Sequence, residues 1–257
     1  MGDSNEQCDS LSCDSSMNLN ISEEFVSFQG EGTSVGTRAY FIRFQGCNLR
    51  CDWCDTTHAQ NVAKVLAETG KSSPYFPAEF HSVTVNELVE RVRRENVPLV
   101  VITGGEPFMQ CKGLADLLEG LLSLTTACVE IETNGTLFDR GMEVLLEWEN
   151  SGGRVQINVS PKWQAEVDYA SVLKRIRLRA KKYIVKFVIE NDEDTQRAMK
   201  VISIADVALS RVYYMPEGMT REEQLKKLPE VAEFAKRDGV NLSVRAHVLI
   251  WDKKRGV

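Results

Sequence analysis

Apolar and polar positions switch repeatedly between two periods from residue 21 onward. Short β-rich runs stand at 38–44 (RAYFIRF), 98–102 (PLVVI), 128–132 (CVEIE), 155–159 (VQINV), 183–188 (YIVKFV), 211–214 (RVYY) and 242–247 (LSVRAH). Each reads as a strand. Between them apolar residues return at helical spacing, as in Leu114, Leu117, Leu118, Leu121 and Leu122. Thr84 with Glu87, and Thr220 with Glu223, have capping-box spacing. They precede the apolar faces Val85/Leu88/Val89/Val92 and Leu225/Leu228/Val231, so two further helix starts are predicted. Strands alternating with helices imply a parallel sheet covered by helices. Six or seven such units are too few to close an eight-fold barrel. The expectation is an α/β fold built as a partial, open parallel βα barrel.

Residues 1–20 break this pattern. They hold four acids, five serines, no Lys or Arg and almost no large apolar side chain. Such a stretch cannot bury enough surface to offset its ordering entropy, and it is expected to be a disordered tail. Residues 21–257 then read as one domain, with no internal repeat or linker.

Composition adds bounds. With 31 basic and 37 acidic residues the formal charge is −6, which argues against bulk electrostatic binding to nucleic acid. No run approaches the ~20 apolar residues of a membrane span. The first residues lack the basic start and apolar stretch of a secretory leader, and a cytoplasmic protein is expected. Seven cysteines is an odd number, which fits reduced thiols better than a disulfide framework. Cys8 and Cys13 fall in the tail; Cys111 and Cys128 sit in helix and strand patterns as small hydrophobes.

The other three cysteines form Cys47-Asn-Leu-Arg-Cys51-Asp-Trp-Cys54, a C-x3-C-x2-C run directly after the first predicted strand. Two metal chemistries suit it. His58 completes a Cys3His set for structural zinc. Alternatively, three thiolates hold an iron–sulfur cluster whose remaining iron stays open to a small molecule. The next strand runs into Thr103-Gly104-Gly105-Glu106-Pro107. Glycines there allow a ligand close to the backbone, and a carboxylate can accept from an ammonium group.

This cysteine run, with Trp53 before the last thiol and GGEP one βα unit later, resembles radical S-adenosylmethionine enzymes. Within them the chain is similar to the 7-carboxy-7-deazaguanine synthases. Phe28-Gln29-Gly30-Glu31-Gly32 resembles the substrate-contacting QGEG element of that family. Arg43, near the end of RAYFIRF on the face it shares with Phe41 and Gln45, resembles its carboxylate clamp; a structural ion pair is the plainer alternative. Thr56 matches a hydroxyl ligand to Mg2+, and Thr103 and Val257 match substrate contacts. Contacts to S-adenosylmethionine are implied for Trp53, Gly104, Gly105, Glu106 and Glu132. The same holds for Ser160-Pro161-Lys162 and Met215-Pro216-Glu217-Gly218. His247 reads as a core or supporting histidine on the last strand.

The resemblance implies a 4Fe–4S cluster on Cys47, Cys51 and Cys54, with S-adenosylmethionine and Mg2+ as further cofactors. It implies hydrogen abstraction from 6-carboxy-5,6,7,8-tetrahydropterin by a 5′-deoxyadenosyl radical. Mg2+-assisted ring contraction then gives 7-carboxy-7-deazaguanine and ammonia. A homodimer and an electron donor such as flavodoxin come with it, without direct contact to nucleic acid or membrane. A glycyl-radical-enzyme activase would share the cysteine run, without need of QGEG, Arg43 or Thr56. A zinc-binding module is the reading outside enzymes.

Overall fold

The computed structural model describes residues 16–51, 54–60, 80–124, 128–139, 145, 154–163 and 166–257; the tail thiols Cys8 and Cys13 lie outside them. Two strands come first, β1 (Asn18–Phe28) and β2 (Arg38–Phe44). A short edge strand β3 (His81–Thr84) leads through an intact Thr84/Glu87 capping box into α1 (Val85–Glu95). Then come β4 (Leu99–Gly104), α2 (Cys111–Leu122), β5 (Cys128–Thr133) and β6 (Val155–Val159). The second half alternates α3 (Tyr169–Arg179), β7 (Tyr183–Ile189), α4 (Asp192–Ala205) and β8 (Val212–Pro216). It ends in α5 (Arg221–Asp238), β9 (Asn241–Leu242) and α6 (Ala246–Trp251).

The nine strands form one sheet in the order β3-β1-β2-β4-β5-β6-β7-β8-β9. Every neighbouring pair from β2 to β9 is parallel, while β1 runs antiparallel to β2 and β3. Gly30, after β1, accepts from Ala246 N at 2.9 Å, and Gly32 N donates to Ser243 Oγ at 2.9 Å. The loop after β1 therefore meets the segment after β9, and the sheet curls round without closing, a partial barrel as expected.

Alternate strand residues divide the two faces. Tyr40, Ile42, Phe44, Val100, Ile102, Val129 and Ile131 point outward into the main core. There they meet Leu88 and Val92 of α1 and Leu114, Leu117, Leu118 and Leu121 of α2, all buried. Each such burial contributes roughly 1.5–3 kcal/mol. The inner face is graded. Ala39, Leu99 and Val101 form a small apolar cluster with Phe41 and Cys128 packed on it. Further along, the register sets Phe41 beside Val101, Val101 beside Glu130, and Glu130 beside Gln156. Arg43 lies beside Thr103 at the strand ends. Polarity thus rises toward the carboxyl ends, where α/β sheets bind their ligands.

Several expectations need correction. The sheet begins at Asn18 and Leu19 is fully buried, so the expected tail to residue 20 overruns the first strand. β1 went unread because the adjacent acids Glu23 and Glu24 interrupt its alternation, next to an irregularity of register between Ile21 and Glu23. The run 242–247 keeps only Leu242 in a strand, as the end of β9. Ser243 N bonds Tyr214 O, and Arg245 is pulled inward by ion pairs. The chain therefore leaves the sheet, and His247 stands on α6. In α5 the capping box at Thr220 forms, but Leu225 is exposed and Gln224 takes the buried place. Its amide donates to the Pro216 and Gly218 carbonyls at 3.0 and 2.9 Å.

Candidate active site

The strand ends and the loops above them enclose a cavity of about 430 Å3, within the range of small-molecule sites. Cys47, Cys51 and Cys54 line it, on the loop after β2. That loop is pinned to the glycine turn after β4. Glu106 N donates to Gly46 O at 2.7 Å, and Gly105 N to Phe44 O at 3.1 Å. A Cβ on Gly105 would sit 1.9 Å from Gly46 O, so only glycine allows this approach.

The thiols suit iron–sulfur chemistry better than zinc. Burial lifts Cys47 to about 11, with Glu106, Cys54 and Cys51 adding to the rise, against a hydrogen bond from Leu49 N. Such a thiol ionises when a metal replaces its proton. Among the described residues no three His, Cys, Asp or Glu side chains close on one point as a single metal ion requires. A zinc site needs four donors around one ion, whereas in a cluster each thiolate takes its own iron. His58, the fourth donor on paper, turns away: its Nε2 lies 3.3 Å from Glu23 Oε1. Among the described residues, no other histidine stands in this loop.

Most of the residues expected at the site do line the cavity. Gly104, Gly105, Ser160, Lys162 and the segment from Met215 to Gly218 line it together with the three cysteines. Phe28, Gln29, Gly30, Arg43, Thr103 and Val257 lie along the rest of the wall, with Thr56 beside Asp55. Gly30 is held so tightly against His247 that a Cβ there would meet its Nδ1 at 2.2 Å. Glu132 lines the cavity with its carboxylate engaged, accepting from Lys186 Nζ at 2.6 Å and Asn158 Nδ2 at 2.9 Å.

Two expected cofactor contacts do not reach it. Glu106 is wholly buried beneath the turn, accepting from Thr133 Oγ1 at 2.7 Å, Asn134 N at 2.8 Å and Phe108 N at 3.2 Å. It ties the glycine turn to the end of β5, because a carboxylate inside the protein needs donors more than it needs an opening. Burial raises it to about 7 in spite of those bonds. Pro161 is buried between Ser160 and Lys162 and is absent from the wall. Trp53 lies outside the described residues.

Other groups complete the site without having been singled out. Lys186, 1% exposed in the middle of β7, donates to Glu31 Oε2 at 2.8 Å as well as to Glu132. Burial alone would pull this ammonium down; the two carboxylates lift it above its ordinary value. Arg245 bonds Glu31 at 3.1 Å, the Gly218 carbonyl at 2.7 Å and Asp55. Glu31, despite burial, is held far below the usual carboxylate range by Lys186 and Arg245. Glu130 accepts from Gln29 Nε2 at 2.7 Å, fixing the QGEG loop from below. A cation inside the apolar run YIVKFVI was the available signal for Lys186, since a buried charge must be paired. Arg43 has its own carboxylate neighbour. Glu23 accepts from Arg43 Nε at 2.7 Å. Burial raises Glu23, but His58 and Arg43 outweigh it and bring it to about 2.

An open parallel sheet with three thiols after its first parallel strand and a glycine turn after the next defines a class. Residues 41–223 match the model of the Radical SAM superfamily. A 7-carboxy-7-deazaguanine synthase of Hyperthermus butylicus is 35% identical over 90% of this chain and 92% of its own length. One from Clostridium acetobutylicum is 30% identical over 94% of this chain and all of its own. Among solved structures, QueE from Escherichia coli superposes with a TM-score of 0.65 over 90% of this chain and 95% of its own, at 22% identity. Streptococcus suis SuiB shares the fold more distantly, with a TM-score of 0.52 over 79% of this chain and 51% of its own, at 13% identity. The chain belongs to the Radical SAM superfamily and, within it, to the family of 7-carboxy-7-deazaguanine synthases.

Proposed function

We propose that the chain is a radical S-adenosylmethionine lyase that converts 6-carboxy-5,6,7,8-tetrahydropterin to 7-carboxy-7-deazaguanine with release of ammonia. This is a step of 7-deazapurine (queuosine-type) biosynthesis. One observation carries the reading: a single cavity joins the cysteine loop and the glycine turn to the Phe28-Gln29-Gly30 loop and Arg43. When bound, a reduced 4Fe–4S cluster supplies the electron that cleaves S-adenosylmethionine and so starts the reaction by hydrogen abstraction.

The chain's own residues bind and orient. Cys47, Cys51 and Cys54 would hold the cluster and leave one iron without a protein ligand. Gly104, Gly105, Ser160 and Met215 to Gly218 would take S-adenosylmethionine, with the Lys162 ammonium offsetting its carboxylate. Arg43 would clamp the substrate carboxylate beside Thr103, with Phe28, Gln29 and Gly30 against the pterin ring. Thr56 would give its hydroxyl to Mg2+, which favours few protein oxygens together with substrate oxygens. Val257, at the edge of the same wall, would close over the substrate. Family membership further supports a one-electron donor of the flavodoxin type and a homodimer. The thiols of Cys47, Cys54, Cys111 and Cys128, none of them in a disulfide, support a reducing, cytoplasmic setting, and no helix among the described residues is long and apolar enough to cross a membrane.

Anaerobic reconstitution tests the reading in two stages. Iron and sulfide must enter the wild-type chain and fail to enter Cys51→Ala; a colourless protein holding one zinc would contradict it. The reduced holoenzyme must then form the ring-contracted product from the carboxy-tetrahydropterin. An intact cluster that cleaves S-adenosylmethionine without that product would exclude the synthase.

A further inference from the structure

Arg43 does not enter the cavity alone. Glu23 is its cross-strand partner in the β1–β2 register, so the two side chains leave the same face side by side. Both are largely buried, at 19% and 15% exposed. The contact uses Arg43 Nε, at 2.7 Å from Glu23 Oε1. Among the described residues, the two terminal amino groups of Arg43 make no hydrogen bond. That end-on edge is one that receives a carboxylate through two parallel bonds. A bond at Nε fixes the plane of the guanidinium and leaves this edge open.

Glu23 also gathers two more groups. Its Oε1 lies 3.3 Å from His58 Nε2, on the turn after the cysteine loop. Its Oε2 lies 3.5 Å from an Arg255 amino group, in the C-terminal segment that lines the cavity. Two guanidinium groups thus meet at the one Glu23 carboxylate, with Asp55 as a further acid within electrostatic reach of Arg43.

We propose that Glu23 is a positioning residue: it holds Arg43 edge-on to the cavity and draws Arg255 beside it, forming a preorganised seat for one planar carboxylate of the substrate. The inference rests on the reading of Arg43 as the substrate clamp. Its physical basis is entropic. A long side chain held in its bound geometry loses less freedom when the ligand arrives. Glu23 is not a competitor for the seat, because it takes the Nε side and not the terminal edge.

The test uses the reconstituted holoenzyme and compares Glu23→Gln, Glu23→Ala, Arg43→Ala and the Glu23→Ala/Arg43→Ala double variant. Iron content and Tm are checked first, and Glu23→Gln carries the test should the alanine variant fail to fold. Glu23→Ala is expected to raise KM for the carboxy-tetrahydropterin about tenfold, roughly the worth of one charge-assisted hydrogen bond, with a smaller change in kcat. Glu23→Gln, which keeps an acceptor for Nε, is expected to rise about threefold. Binding of tetrahydropterin without the 6-carboxylate should not change, and the double variant should be no worse than Arg43→Ala. Equal loss with the carboxylate-free pterin, or a KM that is unchanged or lowered, would overturn the inference while leaving the clamp intact. An unchanged KM in Arg43→Ala would overturn the clamp, and the inference with it.

Discussion

The Gly105–Gly46 approach shows how a single atom can decide whether the cysteine loop and the glycine turn can share one wall. Gly105→Ala must push Cβ into Gly46 O, so one of the two turns must move. Overpacking of this kind costs about 1–3 kcal/mol. The variant should melt earlier and take up less iron on reconstitution; a wild-type Tm and full iron content would contradict the contact. Lys186 sets a second test. Lys186→Ala leaves Glu31 and Glu132 buried without the ammonium they share, a loss of about 3–5 kcal/mol for a broken buried pair. Urea unfolding checks it, and a loss below about 1 kcal/mol would show that the carboxylates find other partners. At this scale the sequence was legible where a residue type is costly in its setting. Three close thiols and an arginine at a strand end announce themselves. Glu23 does not, because its meaning comes from Arg43 across the strand pair and from His58 and Arg255 beyond it.

Elements explain why Glu106 lies where it does. The turn after β4 must be anchored to the end of β5, and its one carboxylate performs that task by accepting from Thr133 and Asn134. Its side chain lies beneath the turn and not on the cavity wall, a placement that GGEP does not reveal, since the motif names the residue types without showing which way the last one turns. Burial pushes Glu106 up to about 7, from an ordinary carboxylate value of about 4.5. Between these values the folded chain binds more protons than the unfolded chain, so this group's contribution lowers stability as pH rises from about 4.5 to 7 and is level above that. Glu106→Gln should flatten that part of the curve in denaturant titrations; an unchanged slope would assign it to other groups. Element reading from the sequence succeeded where alternation is uninterrupted, as in β2 and β6. It failed for β1, where paired acids mask the period, and for 242–247. There Arg245 is drawn to Glu31 and Asp55, and the backbone turns into α6 despite a β-like pattern.

For the whole molecule, the net charge of −6 says little about partners, because many of the site's charges cancel inside the curled sheet. Lys186, Arg43 and Arg245 face Glu31, Glu132, Glu23 and Asp55 across one cavity. The open parallel sheet was readable from its alternating units. How its edges meet was not, since that depends on Gly30 bonding Ala246 and Gly32 bonding Ser243, contacts between opposite ends of the chain. Those contacts bring the Phe28-Gln29-Gly30 loop to the cavity that the cysteines line, and they make the central claim testable in one balance. The reduced, reconstituted holoenzyme is supplied with S-adenosylmethionine, Mg2+ and 6-carboxy-5,6,7,8-tetrahydropterin, and product and ammonia are counted together. The account predicts 7-carboxy-7-deazaguanine and ammonia in equal amounts; cofactor cleavage with neither of them would contradict it.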